Sequence, residues 1–503
     1  MTFATPRLPS PAQRYQTFVP VLAATLIFGL LGAVVALGPN LAIVATLAAL
    51  GGGWLLWSLP ALRLKEMLRL EWWQLLWLLL YASGFVLRER TTGSAAENPL
   101  DPAAFYRVGM VGLAALALQF FVIARRIDII SPLFRGLFLL LTLFNVFNIL
   151  SYAWSINPGW TLYRSLEHTI DVLVVIAFST VLVSARDYKR LVDWTWLLLG
   201  LALLSVFMGA LIWPNQALDR GLGVIGFGIE GVLPRISRNG VGALGATIAI
   251  VAVARLATRE DNRRLYWGLL LVGIGVVLLS LTRSIVAPLF VSIPLVLLAA
   301  RRIGVGFCLP LAGVAAMMFT GLGGLFTQFW QRHETAGQIA NLNGRLDYWE
   351  YAWQLVLEKP LTGLGAFAGG RFEVAQHVGH DTLSSTHGTY PEVLVGTGFP
   401  GLILVVLLLI GVWWYIGRRV LSGPGSTSED RLSWALAVEA LGVLAVISGR
   451  SIFDVALVWH PALPFLAIVA YAQFLRSHPK SAPEAAPVPR QRRFETVQGL
   501  KRQ

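Results

Sequence analysis

In the stretch LSSTHGTYPEVLVGTGFPGLIL, residues 383–404, a polar segment passes into an apolar run, and His387 stands alone just before the junction. A neutral imidazole there is suited to taking up a proton, and equally to capping the following helix or facing solvent. Arginines flank other apolar runs: Arg164 in LYRSLEHTIDVLV, Arg220, Arg235 and Arg238 within 214–239, Arg283 in LLSLTRSIVAPLF, Arg345 and Arg371 further on, and Arg450 in SGRSIFD. The guanidinium fork matches phosphate oxygens in pairs, so the set reads as an anion site, with a lipid-linked diphosphate the fitting ligand at a membrane edge. Taken singly, each arginine is equally explained as a snorkelling side chain or as a partner for Glu167 or Asp171.

Membrane helices must hold these residues. The chain is 56% hydrophobic and 13% charged, with a mean hydropathy of +0.66. Apolar runs recur at the length needed to cross about 30 Å of hydrocarbon, and only helices span lipid without closing into a barrel. The expected fold is an all-α polytopic membrane bundle of about 12–14 spans. They fall near 18–37, 41–59, 72–87, 105–124, 133–153, 165–184, 191–213, 240–257, 265–282, 285–300, 304–325, 391–416, 433–448 and 458–475. This divides the chain into a short N-terminal segment (1–17), a main bundle (18–325), a large polar loop (326–390), C-terminal helices (391–475) and a basic tail (476–503). The first run follows Arg7 and Arg14 and exceeds a signal-peptide core, so it reads as a retained anchor. Cys308, the single cysteine, leaves no internal disulfide framework.

The net charge of +13 is distributed topologically. Arg63/Lys65/Arg69, Arg125/Arg126, Arg186/Lys189/Arg190, Arg259/Arg263/Arg264, Arg301/Arg302, Arg418/Arg419 and the tail lie in alternate loops, the positive-inside pattern, which places both termini in the cytoplasm and assigns the charge to no nucleic acid. The tail, rich in Pro, Ala and charge, reads as disordered near anionic headgroups. Residues 88–104, 214–239 and 326–390 then face outward, and Arg283 sits at a tight outer reversal between two short spans. Within the longest outer loop, Leu346, Trp349, Trp353 and Val356 recur at helical spacing and Pro360, Gly363 and Gly365 supply a stop, so an amphipathic helix is expected over roughly 344–358. Such a helix caps a cavity or lies on the membrane with no catalytic part.

Nucleotide chemistry fits poorly. There is no G-x-x-x-x-G-K-[ST], no G-x-G-x-x-G opening a helix and no D-x-D. Zinc patterns such as H-E-x-x-H are missing too, and His377, His380 and Asp381 in HVGHD are read as polar loop residues, so neither metal nor cofactor is expected.

Five blocks, ILSYAWSINPGWTLYRSLEHTI, LPRISRNGVGALGA, LLSLTRSIVAPL, NLNGRLDYWEYAWQLVLEKPLTGLGAFAGGRF and SSTHGTYPEVLVGTGFPGLIL, resemble in order those of the bacterial O-antigen ligase and O-antigen or exopolysaccharide polymerase family. The resemblance spans about residues 148–416. It implies transfer of a glycan from undecaprenyl diphosphate to a sugar hydroxyl on the periplasmic face of the bacterial inner membrane, without metal or nucleotide. The family's loop histidine falls on His387, its loop arginine on Arg345 and its span-edge arginine on Arg283, with Arg164, Arg235 and Arg238 as further candidates for the diphosphate and glycan. His387 would then be the general base, its direction fixed by Pro391 in the next helix's first turn, and direct displacement would invert the anomeric carbon. Where the family often has Asn after the histidine, this chain has Gly388, which implies a freer turn.

The acceptor stays open: a lipid A core for a ligase, a lipid-linked repeat unit for a polymerase, a protein hydroxyl for the related protein glycosyltransferases. A different class, a secondary transporter or lipid-linked glycan flippase, would use Arg164, Glu167, His168, Asp171 and Glu439 as coupling residues.

Overall fold

The computed structural model describes residues 71–87, 102–220, 227–258, 262–331, 335–342, 344–378, 385–458 and 460–478. The first two expected spans, the first basic cluster and nearly all of the tail lie outside these residues. Short helical turns aside, the elements are α1 (Trp72–Ser83), α2 (Pro102–Arg125), α3 (Gly136–Leu150), α4 (Pro158–Ser179), α5 (Ala185–Ile212), β1 (Leu218–Arg220), β2 (Phe227–Ile229), α6 (Arg238–Thr258) and α7 (Arg263–Leu279). Then come α8 (Arg283–Ala299), α9 (Ile303–Phe319), α10 (Leu322–Gln331), α11 (Arg345–Glu358), α12 (Thr389–Leu421), α13 (Ser428–Arg450) and α14 (Leu463–Ser477). The chain is an all-α membrane bundle, and each expected span within the described residues is helical. Among the described residues, six helices are long and apolar enough to cross a bilayer, or seven if the bent pair α9–α10 is one span. Others, such as α8 and α14, are shorter apolar helices.

Small residues let the backbones approach, as packing in lipid requires. Where α6 meets α7, a Cβ on Gly245 would lie 2.8 Å from the Gly273 carbonyl oxygen. The run expected as one span over 304–325 instead breaks after Phe319 and turns through 92° into α10. Gly321, Gly323 and Gly324 weaken helix continuation there, and the Thr320 hydroxyl accepts the Leu322 N–H at 3.2 Å.

The expected outer loop 214–239 holds the β1–β2 hairpin, with Leu218 opposite Ile229 and Arg220 opposite Phe227. At the other end of the bundle the basic loops meet: Arg302 donates from Nε to the Ala257 carbonyl at 3.1 Å, and the Ala185 N–H donates to Glu429 at 2.7 Å. The N-termini of α4, α6, α8 and α12 and the C-terminus of α13 form the opposite end, where the candidate site lies.

Candidate active site

Helix α12 is what gathers the site, because it is broken. Pro400 has no N–H for the Gly396 carbonyl, and Gly398 takes φ 63, ψ −165, which side chains other than hydrogen rarely adopt. The Phe399 N–H turns away from the helix to the Pro360 carbonyl at 2.8 Å. The carbonyls of Val395 and Gly396, released by this break, accept from the Leu364 and Gly365 N–H groups at 2.8 and 2.9 Å. The loop after α11 is thereby bonded to the broken helix, which satisfies backbone groups that lipid would leave unpaired. Trp154 and Trp160 donate from their indoles to the carbonyls of Thr362 (2.9 Å) and Phe367 (3.1 Å), closing the loop against the start of α4.

Helix α11 spans Arg345–Glu358, within a residue of expectation, but its inward face is Tyr348, Ala352 and Val356. Of the expected apolar set, Val356 alone is buried, whereas Leu346 (42% exposed) and Trp353 (49%) face outward. The cause lies in tertiary packing: Leu364, Val374, Ala375 and Val395 form the surface that receives the Tyr348 face.

This docking brings Arg345, the first residue of α11, over the Phe453 ring, with its guanidinium carbon 5.9 Å from the ring centroid. Trp349, one turn on, stacks on the same ring at 6.3 Å and donates from its indole to the Thr386 carbonyl at 3.1 Å. Next to Thr386, the His387 ring meets Tyr348 edge to face at 5.1 Å. His387 itself holds a left-handed φ of 54, sparsely populated for a residue with a Cβ. The expectation of a free turn at Gly388 is corrected: its φ of −168 is ordinary extended backbone. Its value is space, since a Cβ there would sit 2.9 Å from the Ile452 carbonyl oxygen.

The connection 451–462 completes the cluster. Arg450 grips Asp454 through Nε (2.9 Å) and Nη2 (2.5 Å), and the Val455 N–H donates to the same carboxylate at 2.8 Å. Burial pushes the Asp454 carboxyl up, but Arg450, the Val455 N–H and the nearby His387 imidazole outweigh it and hold the group below its ordinary value. Burial pulls the Arg345 guanidinium below its ordinary value; Asp454 opposes this and the charge of Arg283 adds to it. Arg283, the first residue of α8, also donates to the Trp330 carbonyl at 2.8 Å, tying the site to α10. Two half-buried guanidiniums near one another, beside an imidazole and a carboxylate, make a site in which a polyanion would relieve the cationic crowding.

His387 and Arg345 are thus brought together through Tyr348, Trp349 and Phe453, and the charge of Arg283 reaches Arg345. The other three expected residues lie elsewhere. Arg235 and Arg238 share Glu230 at 3.2 and 3.3 Å, and Arg238 also reaches Asp219 at 3.3 Å, so the hairpin absorbs their charge. The start of α6 still meets the start of α8, for Thr282 donates its hydroxyl to the Arg238 carbonyl at 3.2 Å. Arg164 is buried, contacting Glu167, which Arg107 also holds at 2.7 and 3.0 Å. Glu439, a coupling candidate in the transporter reading, is bonded to Arg255 at 2.7 and 2.9 Å. His377 stacks on Tyr351 at 3.6 Å, while His380 and Asp381 lie outside the described residues. Sequence reasoning missed Asp454 and Phe453; the signal was the Arg450–Asp454 spacing of four in SGRSIFD, of which only the arginine was singled out.

Residues 268–406 match the family model described as O-antigen ligase. Arg283, Arg345 and His387 all fall inside this O-antigen ligase domain, whereas Arg450 and Asp454 lie beyond it. No curated protein matches the chain. The O-antigen ligase domain and the apolar helices together support a multi-pass membrane protein with a glycosyl-transferring role of ligase or polymerase type. The family also implies, in general terms, a lipid-linked glycan donor and an acceptor.

Proposed function

We propose that the protein transfers a glycan from undecaprenyl diphosphate to a sugar hydroxyl, with the site at the periplasmic face of the inner membrane and both termini in the cytoplasm. The observation that carries this reading is the convergence of His387, Arg345 and Arg283, residues separated by up to 104 positions, inside the O-antigen ligase domain. Arg345 and Arg283 bind the diphosphate. His387, in neutral form, takes the proton of the acceptor hydroxyl while that oxygen attacks the anomeric carbon. The bond from that carbon to the diphosphate breaks, its electron pair leaves on the diphosphate, and the arginines stabilise the charge that develops. Asp454 orients the imidazole and stabilises the imidazolium that forms. The displacement inverts the anomeric centre, so a retained configuration in the product would exclude this one-step mechanism.

The experiment is reconstitution of the purified chain with an undecaprenyl-diphosphate-linked glycan and a sugar acceptor, without nucleotide or ion gradient. Formation of a glycosidic bond is the expected result. A protein that only translocates lipid-linked glycan would leave donor and acceptor unjoined. Glycan profiling of a deletion strain separates ligase from polymerase: loss of capped lipopolysaccharide alone marks a ligase, loss of all long polymer a polymerase.

A further inference from the structure

The connection between α13 and α14, residues 451–462, starts exposed at Ile452 and then turns inward. Val455, Leu457, Val458 and His460 along it are all buried, so this non-helical segment descends into the bundle. Irregular backbone at that depth persists only where protein holds it. At its upper end it is bonded to the start of α12: the Thr389 N–H donates to the Ser451 carbonyl (2.9 Å), the Thr389 hydroxyl to the Asp454 carbonyl (3.0 Å), and the Ala456 N–H to the Thr389 hydroxyl (3.0 Å).

At its lower end the connection is held by His460, among the described residues. His460, 0% exposed, has Nδ1 2.8 Å from Asp171 of α4 and Nε2 2.9 Å from the hydroxyl of Ser83, the last residue of α1. Ser83 and Asp171 are themselves 0% and 1% exposed. The neighbouring contact is close as well, since a Cβ on Gly84 would lie 2.3 Å from Pro461. Five residues separate this anchor from Asp454, and the described ones among them, 455–458, carry no regular helix or strand.

We propose that His460 is a positioning residue: clamped between Asp171 and Ser83, it fixes the connection 451–462 and so holds Asp454 towards His387 and Arg345. The role assigned to Asp454 rests on the reading under Proposed function; the clamp does not.

The test uses the full-length protein and reads two quantities independently, amide hydrogen exchange over residues 451–458 and glycan transfer. In His460→Ala, exchange of the Val455 and Ala456 amides should rise by about tenfold or more, and kcat should fall by about tenfold with KM for the donor changing less. The same change made in Asp454→Asn should cost less than about twofold, because a residue acting through Asp454 has nothing left to position. His460→Asn, whose amide stands where Nδ1 does, keeps the Asp171 contact and should recover most of the protection and activity. If His460→Ala fails to fold, Ser83→Ala removes one of the two holds and should show the same pattern at smaller size. Unaltered exchange at 451–458 in a folded His460→Ala or Ser83→Ala overturns the clamp. Raised exchange with unaltered kcat, or an undiminished effect in Asp454→Asn, overturns its role in the site. Absence of transfer by the unsubstituted protein would overturn the glycosyltransfer reading, and exchange would still decide the clamp.

Discussion

The Thr389 hydroxyl donates to the Asp454 carbonyl at 3.0 Å, so the acidic member of the site is joined to the helix that begins two residues after His387. A residue beyond the O-antigen ligase domain is thereby coupled to the histidine within it. The consequences are measurable.

His387→Ala removes the proton acceptor and the edge contact to Tyr348. Transfer should fall by roughly 10²- to 10⁴-fold, while binding of undecaprenyl diphosphate stays near normal. Turnover at the unsubstituted rate would end the assignment.

Arg345→Lys keeps the charge but loses both the fork and the planar contact with Phe453. It should therefore behave nearly as badly as Arg345→Ala in donor affinity, with a loss of about 1.5–3 kcal/mol in each. Full affinity in the lysine variant would show that a point charge suffices.

Arg283→Ala should weaken donor binding and also loosen α10, since the Trp330 carbonyl loses its donor. An arginine that merely faced hydrocarbon would give the opposite, an equal or higher melting temperature with unchanged affinity. Calorimetry with undecaprenyl diphosphate, together with thermal unfolding of the same samples, separates the two.

Asp454 has a folded-state pKa below the ordinary carboxylate value of 3.8, burial being outweighed by Arg450, the Val455 N–H and His387. A depressed carboxyl contributes stability above its unfolded value and loses it as pH falls through the folded one. The melting temperature should accordingly drop below about pH 4 in the parent protein. In Asp454→Asn that acid-side decline should be shallower, and the variant should be the less stable of the two near neutrality.

Gly398→Ala forces a Cβ into a backbone conformation at φ 63, only 2.4 Å from the Pro360 carbonyl oxygen. The expected cost is about 1–3 kcal/mol of stability, larger if the loop after α11 detaches from α12. Proteolysis of the 359–378 segment should report that detachment, and an unaffected variant would mean the break in α12 is not held by this bond.

The membrane class, the helical periods and the amphipathic helix over 345–358 were legible in the sequence, because each depends on local composition or spacing; His387, Arg345 and Arg283 are candidates that short sequence blocks put forward. Hydropathy measures how apolar a stretch is; it does not say where that stretch stops being straight, which is why 304–325 has the hydropathy of a single span although it turns between α9 and α10. Which face of α11 is buried was likewise out of reach, since Trp353 and Tyr348 are comparable in sequence and only the shape of α12 and its neighbours selects the tyrosine side. Pairing of charge was decided by tertiary structure as well. Arg235, Arg238 and Arg345 look alike as outer arginines, yet the β1–β2 hairpin places Glu230 and Asp219 against the first two, while the broken α12 carries the third to His387. The spacing of four pairs Asp454 with Arg450, but its place beside His387, sixty-seven residues away, comes from hydrogen bonds to Thr389, a contact between segments that no local pattern encodes.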